Sequence, residues 1–236
     1  MARWSYPQRS AEPLPAPLPP ETRTVGQLVA ETLRLYGANF WRAIALGILP
    51  GTLTIVGALL PPTARYTVTP TLGAAILSIS FVGAACIVAG RRPDTSTLGT
   101  AFLCGLVTFV PVPFLIVLFV LPALAWMAFV MLSVPAAVAE ELPLRAALAR
   151  GVQLARVDYV HVLGALATVA ILALLSQTML FLLLRGAGDA TLWAASFLAS
   201  LVVAPLILLG AALVYQDQKA RYDVRVKASA PPSRTS

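Results

Sequence analysis

Long apolar stretches separated by short polar segments dominate this 236-residue chain. Six stretches are long enough to cross a bilayer, because a spanning helix needs about 20 mostly apolar residues. They cover approximately residues 40–60, 71–90, 99–118, 120–139, 159–184 and 191–215. The pattern predicts an all-α fold, a polytopic six-helix transmembrane bundle.

Two shorter segments have the periodicity of amphipathic helices. In the first, Thr24 and Gln27 have the spacing of a capping box, and one face carries Val25, Leu28, Val29, Leu33 and Tyr36. The second follows Pro143, and its apolar face carries Leu144, Leu148, Val152 and Ala155. We expect both helices to lie in the membrane interface on the cytoplasmic side.

The same patterning divides the chain into three parts. Residues 1–21 contain six prolines and are expected to form a disordered cytoplasmic tail. Residues 22–223 form the integral membrane domain, and residues 224–236 form a second disordered cytoplasmic tail. Because the first apolar stretch begins only near residue 40, we expect no cleaved signal peptide and a first span that acts as its own insertion signal.

Basic residues are distributed unequally between the two sides of this topology. Of the 17 Lys and Arg residues, 15 share a side with the termini, whereas Arg65 and Arg185 lie on the opposite side. The positive-inside bias therefore predicts that both termini are cytoplasmic. The excess of Arg over Lys, together with the abundance of Ala and Leu, is typical of a GC-rich bacterial genome. We expect a multi-pass protein of the bacterial cytoplasmic membrane.

Composition supports a membrane environment, with 58% apolar residues, 11% charged residues and a mean hydropathy of +0.83. The net charge of +7 is dispersed over four separate segments, which argues against nucleic-acid binding. The expected partners are the lipid bilayer, anionic lipids at the cytoplasmic face and a membrane protein partner.

Few residues could support chemistry. His161 is the only histidine, and Cys86 and Cys104 both lie in apolar stretches. We therefore predict no catalytic residue, no cofactor and no metal site. The candidate polar or interfacial positions are Gln177, Glu140, Arg150, Arg156 and His161.

Each candidate has an ordinary structural role. The Gln177 amide lies within an apolar span and is expected to make an interhelical hydrogen bond, with substrate contact as the alternative. Glu140 is expected to form an ion pair with Arg145 or Arg150. Arg156 belongs to the polar face of the second amphipathic helix, and His161 is expected to be a surface or packing residue.

Three local patterns stand out, namely Gly26–Leu28 with Leu33–Tyr36 and Asn39–Trp41, then Pro135–Glu140 with Ala147–Leu154, and finally Tyr215–Asp223. Together they resemble the membrane domain associated with glycerophosphoryl diester phosphodiesterases, a six-helix family of bacteria. Gly151 departs from that family, which often has Ser there. The chain has no counterpart of the fused catalytic barrel, so the resemblance implies a fold and a location but no phosphodiesterase activity.

The leading functional hypothesis is a non-enzymatic multi-pass integral membrane protein that organises or assists other membrane components. A small transporter or channel component is the alternative, suggested by proline-interrupted spans and by a weak repeat that aligns residues 39–42 with 158–161. A membrane-embedded enzyme acting on lipid is the third hypothesis, and it requires His161, Glu140 and Asp158 to converge.

Overall fold

A computed structural model of the chain describes residues 19–186 and 188–229, which are almost entirely helical and contain no strand. A short 3-10 turn, Pro20–Thr22, comes first. The α-helices that follow are α1 Val25–Ala38, α2 Phe40–Leu59, α3 Pro62–Ala89, α4 Thr95–Phe109, α5 Val112–Leu118, α6 Val120–Val130, α7 Ser133–Glu140, α8 Leu144–Ala155, α9 Tyr159–Leu183 and α10 Asp189–Ser229.

Six helical segments in this part of the chain are long and apolar enough to cross a membrane. They are Phe40–Leu59, Thr63–Ala89, Thr95–Leu118, Val120–Glu140, Tyr159–Leu183 and Ala190–Ser229. The third consists of α4 and α5, and the fourth of α6 and α7. The chain reverses between them at Phe119, whose backbone is extended. The prediction of an all-α polytopic bundle is confirmed.

Both amphipathic segments are helical. At the start of α1, the Thr24 side chain accepts a hydrogen bond from the Gln27 backbone, and the Gln27 side chain accepts one from the Thr24 backbone. These reciprocal bonds satisfy backbone donors that the first turn would otherwise leave free. Only Leu28 and Thr32 of α1 are buried, whereas Leu33 is 54% exposed. The helix therefore packs on the bundle through a narrower face than its apolar pattern predicts.

Helix α10 is the central element, because α1, α2, α3, α8 and α9 all pack against it. α1 and α2 run antiparallel to α10. Arg23, just before α1, pairs with Asp217, Thr32 contacts Gly210, and Gly47 contacts Leu201. At the last of these, a Cβ on Gly47 would lie 2.4 Å from the Leu201 carbonyl oxygen. Close approach of two helix backbones through small residues is typical of membrane bundles.

The C-terminal end of the predicted membrane domain differs from the structure. We expected a disordered tail from residue 224, but α10 continues without a break to Ser229, while residues 230–236 lie outside the described part. No Gly or Pro occurs between residues 211 and 229, so nothing in that sequence ends the helix. At the other end, residues 1–18 of the predicted N-terminal tail lie outside the described part.

Gly151 marks the contact between α7 and α8. A Cβ at this position would lie 2.5 Å from the backbone nitrogen of Ser133, so the two helices are too close for any side chain. A serine at this position would therefore not fit without moving α8.

We predict that Gly151→Ala destabilises the protein by about 1–3 kcal/mol, because the added methyl group overpacks the contact between α7 and α8. Gly26→Ala is the matched control, since a Cβ on Gly26 meets nothing within 4 Å. In α1 the same change should be neutral or stabilising by up to about 1 kcal/mol, the helix-propensity difference between Gly and Ala. Thermal unfolding in detergent compares them, and equal effects would contradict the packing at Gly151.

Candidate functional site

Glu140, the last residue of α7, is the centre of a polar cluster. Its carboxylate accepts hydrogen bonds from Arg150 Nε at 3.1 Å and from Tyr215 Oη at 2.7 Å, and it pairs with Lys219 Nζ at 3.2 Å. The donors come from two helices, because Arg150 lies on α8 while Tyr215 and Lys219 lie one turn apart on α10. One half-buried carboxylate therefore joins α7, α8 and α10.

Arg150 extends this cluster along α8. Its Nη1 donates to Gln153 Oε1 at 3.0 Å, Gln153 Nε2 donates to Tyr222 Oη at 2.9 Å, and the guanidinium lies 4.6 Å above the Tyr222 ring. Burial disfavours the charged guanidinium, but the hydrogen bond and attraction of Glu140 outweigh it, and the pKa of Arg150 is raised. The guanidinium therefore stays charged at every physiological pH, and its position is fixed from two sides.

A second cluster lies on another face of α10. Asp217 Oδ1 accepts a hydrogen bond from Arg23 Nη1 at 2.8 Å, and Arg221 Nη2 donates to the Arg23 carbonyl oxygen at 3.0 Å. Arg221 also pairs with Asp158, which caps the start of α9 by accepting from the His161 backbone. These bonds attach the segment before α1 and the start of α9 to α10.

Four atoms of α10 in this region are buried without a hydrogen-bond partner in the described part of the chain: Asp217 Oδ2, Gln218 Nε2, Gln218 Oε1 and Arg221 Nε. Gln218 is completely buried. Buried polar groups of this kind are normally satisfied by ordered water.

Two further contacts join the ends of other helices to this region. Arg91, which follows α3, pairs with Glu141 at 2.6 Å and donates to the Ala139 carbonyl oxygen at 3.1 Å. Gln216 donates to the Val88 carbonyl oxygen at 3.0 Å. We call the whole region the polar end of the bundle, defined by Arg23, Arg91, Glu140, Glu141, Arg150, Asp158, Asp217, Lys219 and Arg221.

Two of the five candidates from the sequence, Glu140 and Arg150, belong to this region, and a third, His161, lies against it. Glu140 and Arg150 form the expected ion pair, whereas Arg145 forms none within the described residues. His161 is half-buried, with its Nε2 3.5 Å from Arg221 Nη2. His161 and Asp158 thus contact Arg221, while Glu140 contacts Arg150 and Lys219. In the described part of the chain, no hydrogen bond between side chains joins Glu140 to His161 or to Asp158.

Arg156 and Gln177 lie elsewhere. Arg156 ends α8 with its side chain exposed, in a groove against the last turns of α10. Gln177 lies six residues before the end of α9, in a groove of about 450 Å³ between α9 and α10 whose lining also includes Thr178 and Ser196. Its side chain makes no hydrogen bond to the described residues, so the expected interhelical bond is absent there.

The candidate set lacked the residues of α10 that organise the polar end: Tyr215, Asp217, Lys219, Arg221 and Tyr222. A signal for them was present, because polar residues follow the last apolar stretch without any helix breaker. A helix that continues past the bilayer presents such residues to the ends of its neighbours. Reading the last span as ending at residue 215 concealed this arrangement.

The described residues contain no group of three or more His, Cys, Asp or Glu side chains that could hold a metal ion. Comparisons with protein-family models, curated proteins and solved structures found no match to this chain. The arrangement of the polar end is therefore the main guide to function.

We predict that Asp217→Leu destabilises the protein by about 3–5 kcal/mol, because it leaves the Arg23 charge buried without its partner. The side chains of Arg23 and Asp217 are only 11% and 0% exposed. The double variant Arg23→Met with Asp217→Leu should recover most of the loss, since no buried charge is then unpaired.

Glu31→Gln is the control for this prediction, because it removes an exposed pair with Arg34 at 3.9 Å and should cost less than about 1 kcal/mol. Chemical denaturation in detergent measures all three variants. A double variant no more stable than Asp217→Leu would show that the pair does not act as a unit.

Proposed function

We propose that this chain is a non-enzymatic multi-pass integral membrane protein of the bacterial cytoplasmic membrane that organises or assists other membrane components. The observation that supports this most directly is the use of the carboxylates at the polar end. Glu140, Asp158 and Asp217 each pair with bases that join helices. Carboxylates paired in this way hold helices together. An acid or base catalyst, by contrast, must be able to reach a substrate proton.

We also propose kinship with the membrane domain associated with glycerophosphoryl diester phosphodiesterases. Two of the three sequence patterns that carry the resemblance meet in space: Glu140 and Arg150 come from the second, and Tyr215 and Lys219 from the third. Leu28 of the first lies buried where α1 packs on α10. Because these patterns are far apart in sequence yet contact each other, their joint presence supports the proposal that the chain has the fold of that family.

The proposed orientation puts the polar end and both termini in the cytoplasm. The bases of this end, of the last turns of α10 and of the groove beside those turns include Arg23, Arg91, Arg150, Arg156, Lys219, Arg221, Arg225 and Lys227. At the other end, Arg65 donates to the carbonyl oxygens of Ala58 and Leu60 at the end of α2, and Arg185 follows α9. This asymmetry supports the orientation through the positive-inside rule.

We expect a periplasm-active reporter inserted between Leu60 and Pro61, in the turn between α2 and α3, to give signal. The same reporter fused after Ser236 should give none, and a cytoplasm-active reporter should give the reverse pattern. Periplasmic signal from the C-terminal fusion would overturn the orientation.

Absence of lipid chemistry is tested separately. Proteoliposomes of phosphatidylethanolamine and phosphatidylglycerol that contain the full chain should keep their lipid composition over hours, as followed by mass spectrometry. Formation of lysolipid, phosphatidic acid or diacylglycerol that His161→Ala or Glu140→Gln abolishes would favour the third hypothesis, an enzyme acting on lipid.

A transport role is the alternative, and one observation favours it. The groove that contains Gln177 also presents Thr178 and Ser196, three polar side chains within apolar helices. The rest of its lining is apolar, from Leu180, Phe181, Leu184 and Leu192.

Gln177→Leu separates the two functions. We expect the change to be neutral or slightly stabilising, because the amide has no partner in the described structure whose loss would cost energy. Tyr215→Phe calibrates the measurement, since it removes the hydrogen bond to Glu140 and should cost about 1.5–3 kcal/mol. Thermal unfolding in detergent compares the two, and a stable Gln177→Leu variant that abolished a solute flux in proteoliposomes would favour transport.

A further inference from the structure

Two grooves meet on the outer face of α8. The first, of about 520 Å³, is lined by Leu148, Ala149, Val152, Gln153 and Arg156. The second, of about 400 Å³, lies between α8 and the last turns of α10 and is lined by Gln153, Arg156, Val157, Tyr222, Arg225, Val226 and Ser229. Because both include Gln153 and Arg156, they form one continuous surface, which we call the α8 groove.

The two halves of the α8 groove differ in chemistry. One half presents the apolar side chains of Leu148, Ala149 and Val152. The other presents the guanidinium groups of Arg156 and Arg225, both exposed. The ion pairs found in the described part of the chain involve neither arginine. Two positive charges therefore remain available beside an uncovered apolar surface.

Hydrogen bonds fix the side chain of Gln153, which lines both halves of the groove. Gln153 is held by Arg150 on one side and by Tyr222 on the other, and Arg150 is in turn held by Glu140. Tyr222 Oη accepts the Gln153 hydrogen bond, so its own proton remains available to an acceptor in the groove. A ligand that binds there meets the Tyr222 hydroxyl already in place, whereas the exposed side chains of Arg156 and Arg225 become ordered on binding.

We propose that the α8 groove binds one acidic phospholipid, with its phosphate between Arg156 and Arg225 and its apolar part along Leu148, Ala149 and Val152. The proposal rests on the proposed function, which places the polar end at the anionic cytoplasmic leaflet. A phosphate group is the shared chemistry of a lipid and of free phosphate. The apolar half selects the lipid, because inorganic phosphate would leave that surface uncovered.

The test uses the full chain purified in a neutral detergent. Native mass spectrometry measures binding of dioctanoyl phosphatidylglycerol, of dioctanoyl phosphatidylcholine with the same tails, and of inorganic phosphate. We expect phosphatidylglycerol to bind at least about tenfold more tightly than either of the others, since only it satisfies both halves of the groove.

Arg156→Gln with Arg225→Gln should weaken phosphatidylglycerol binding about thirtyfold, since each cation near an anionic lipid contributes roughly a fivefold factor. Arg92→Gln with Arg145→Gln is the matched control, because it removes the same charge from exposed arginines outside the groove. Binding to this control should change less than about twofold. Arg156→Lys with Arg225→Lys keeps the charge and should retain most of the affinity.

Four outcomes would overturn the proposal. Equal weakening in the control pair would mean attraction to dispersed charge, equal binding of phosphatidylcholine would mean that the tails alone are recognised, and equal binding of inorganic phosphate would mean a free-anion site. Thermal unfolding of each variant confirms that it is folded, and a folded Arg156→Gln with Arg225→Gln variant that still bound the lipid would also overturn it. None of these results affects the reporter experiment, which tests orientation alone.

Discussion

The pairing of a few carboxylates with bases at the polar end is the constraint on which the rest of the bundle depends. Charges near an apolar interior lose much of their hydration, and they are tolerated only when opposite charges and hydrogen bonds replace the water. Glu140 and Asp217 find such partners only if α10 lies against α7, α8 and the segment before α1. Since apolar helix surfaces can pack in several alternative ways, these pairs determine which faces meet.

Local properties of the sequence were sufficient to predict the six spanning segments, because length and hydropathy are read within about 20 residues. The capping box of α1 was likewise predictable from Thr24 and Gln27 alone. Apart from the Glu140 and Arg150 pair, the polar end was not, because its bonds join residues far apart in sequence, such as Glu140 and Tyr215 at 75 positions and Arg23 and Asp217 at 194. Gln177 shows a second limit of prediction from sequence, because a lone amide in an apolar stretch does not reveal whether a neighbouring helix offers it a hydrogen-bond partner.

The apolar part and the polar part of α10 contribute differently to the packing of the bundle, which explains how a chain with so few polar residues adopts one arrangement of helices. Through its apolar length, small residues such as Gly210 let neighbouring helices approach, and the Gly47 contact with Leu201 is of the same kind. Beyond Tyr215, the same helix carries charged and amide side chains that fix its neighbours at one end. Several exposed bases take no part in this pairing, and Arg156 and Arg225 are the two among them that line the α8 groove.

The separation of Arg23 from Asp217 by 194 positions has a consequence for how the protein is made. At synthesis rates of about 5–20 residues per second, roughly 10–40 s pass between the appearance of the base and that of its acid. During that time Arg23 must remain hydrated at the membrane surface, because the helix that brings Asp217 does not yet exist. The polar end can therefore form only after the last helix has been synthesised. A chain left incomplete by a stalled ribosome would still carry charges that lack their partners.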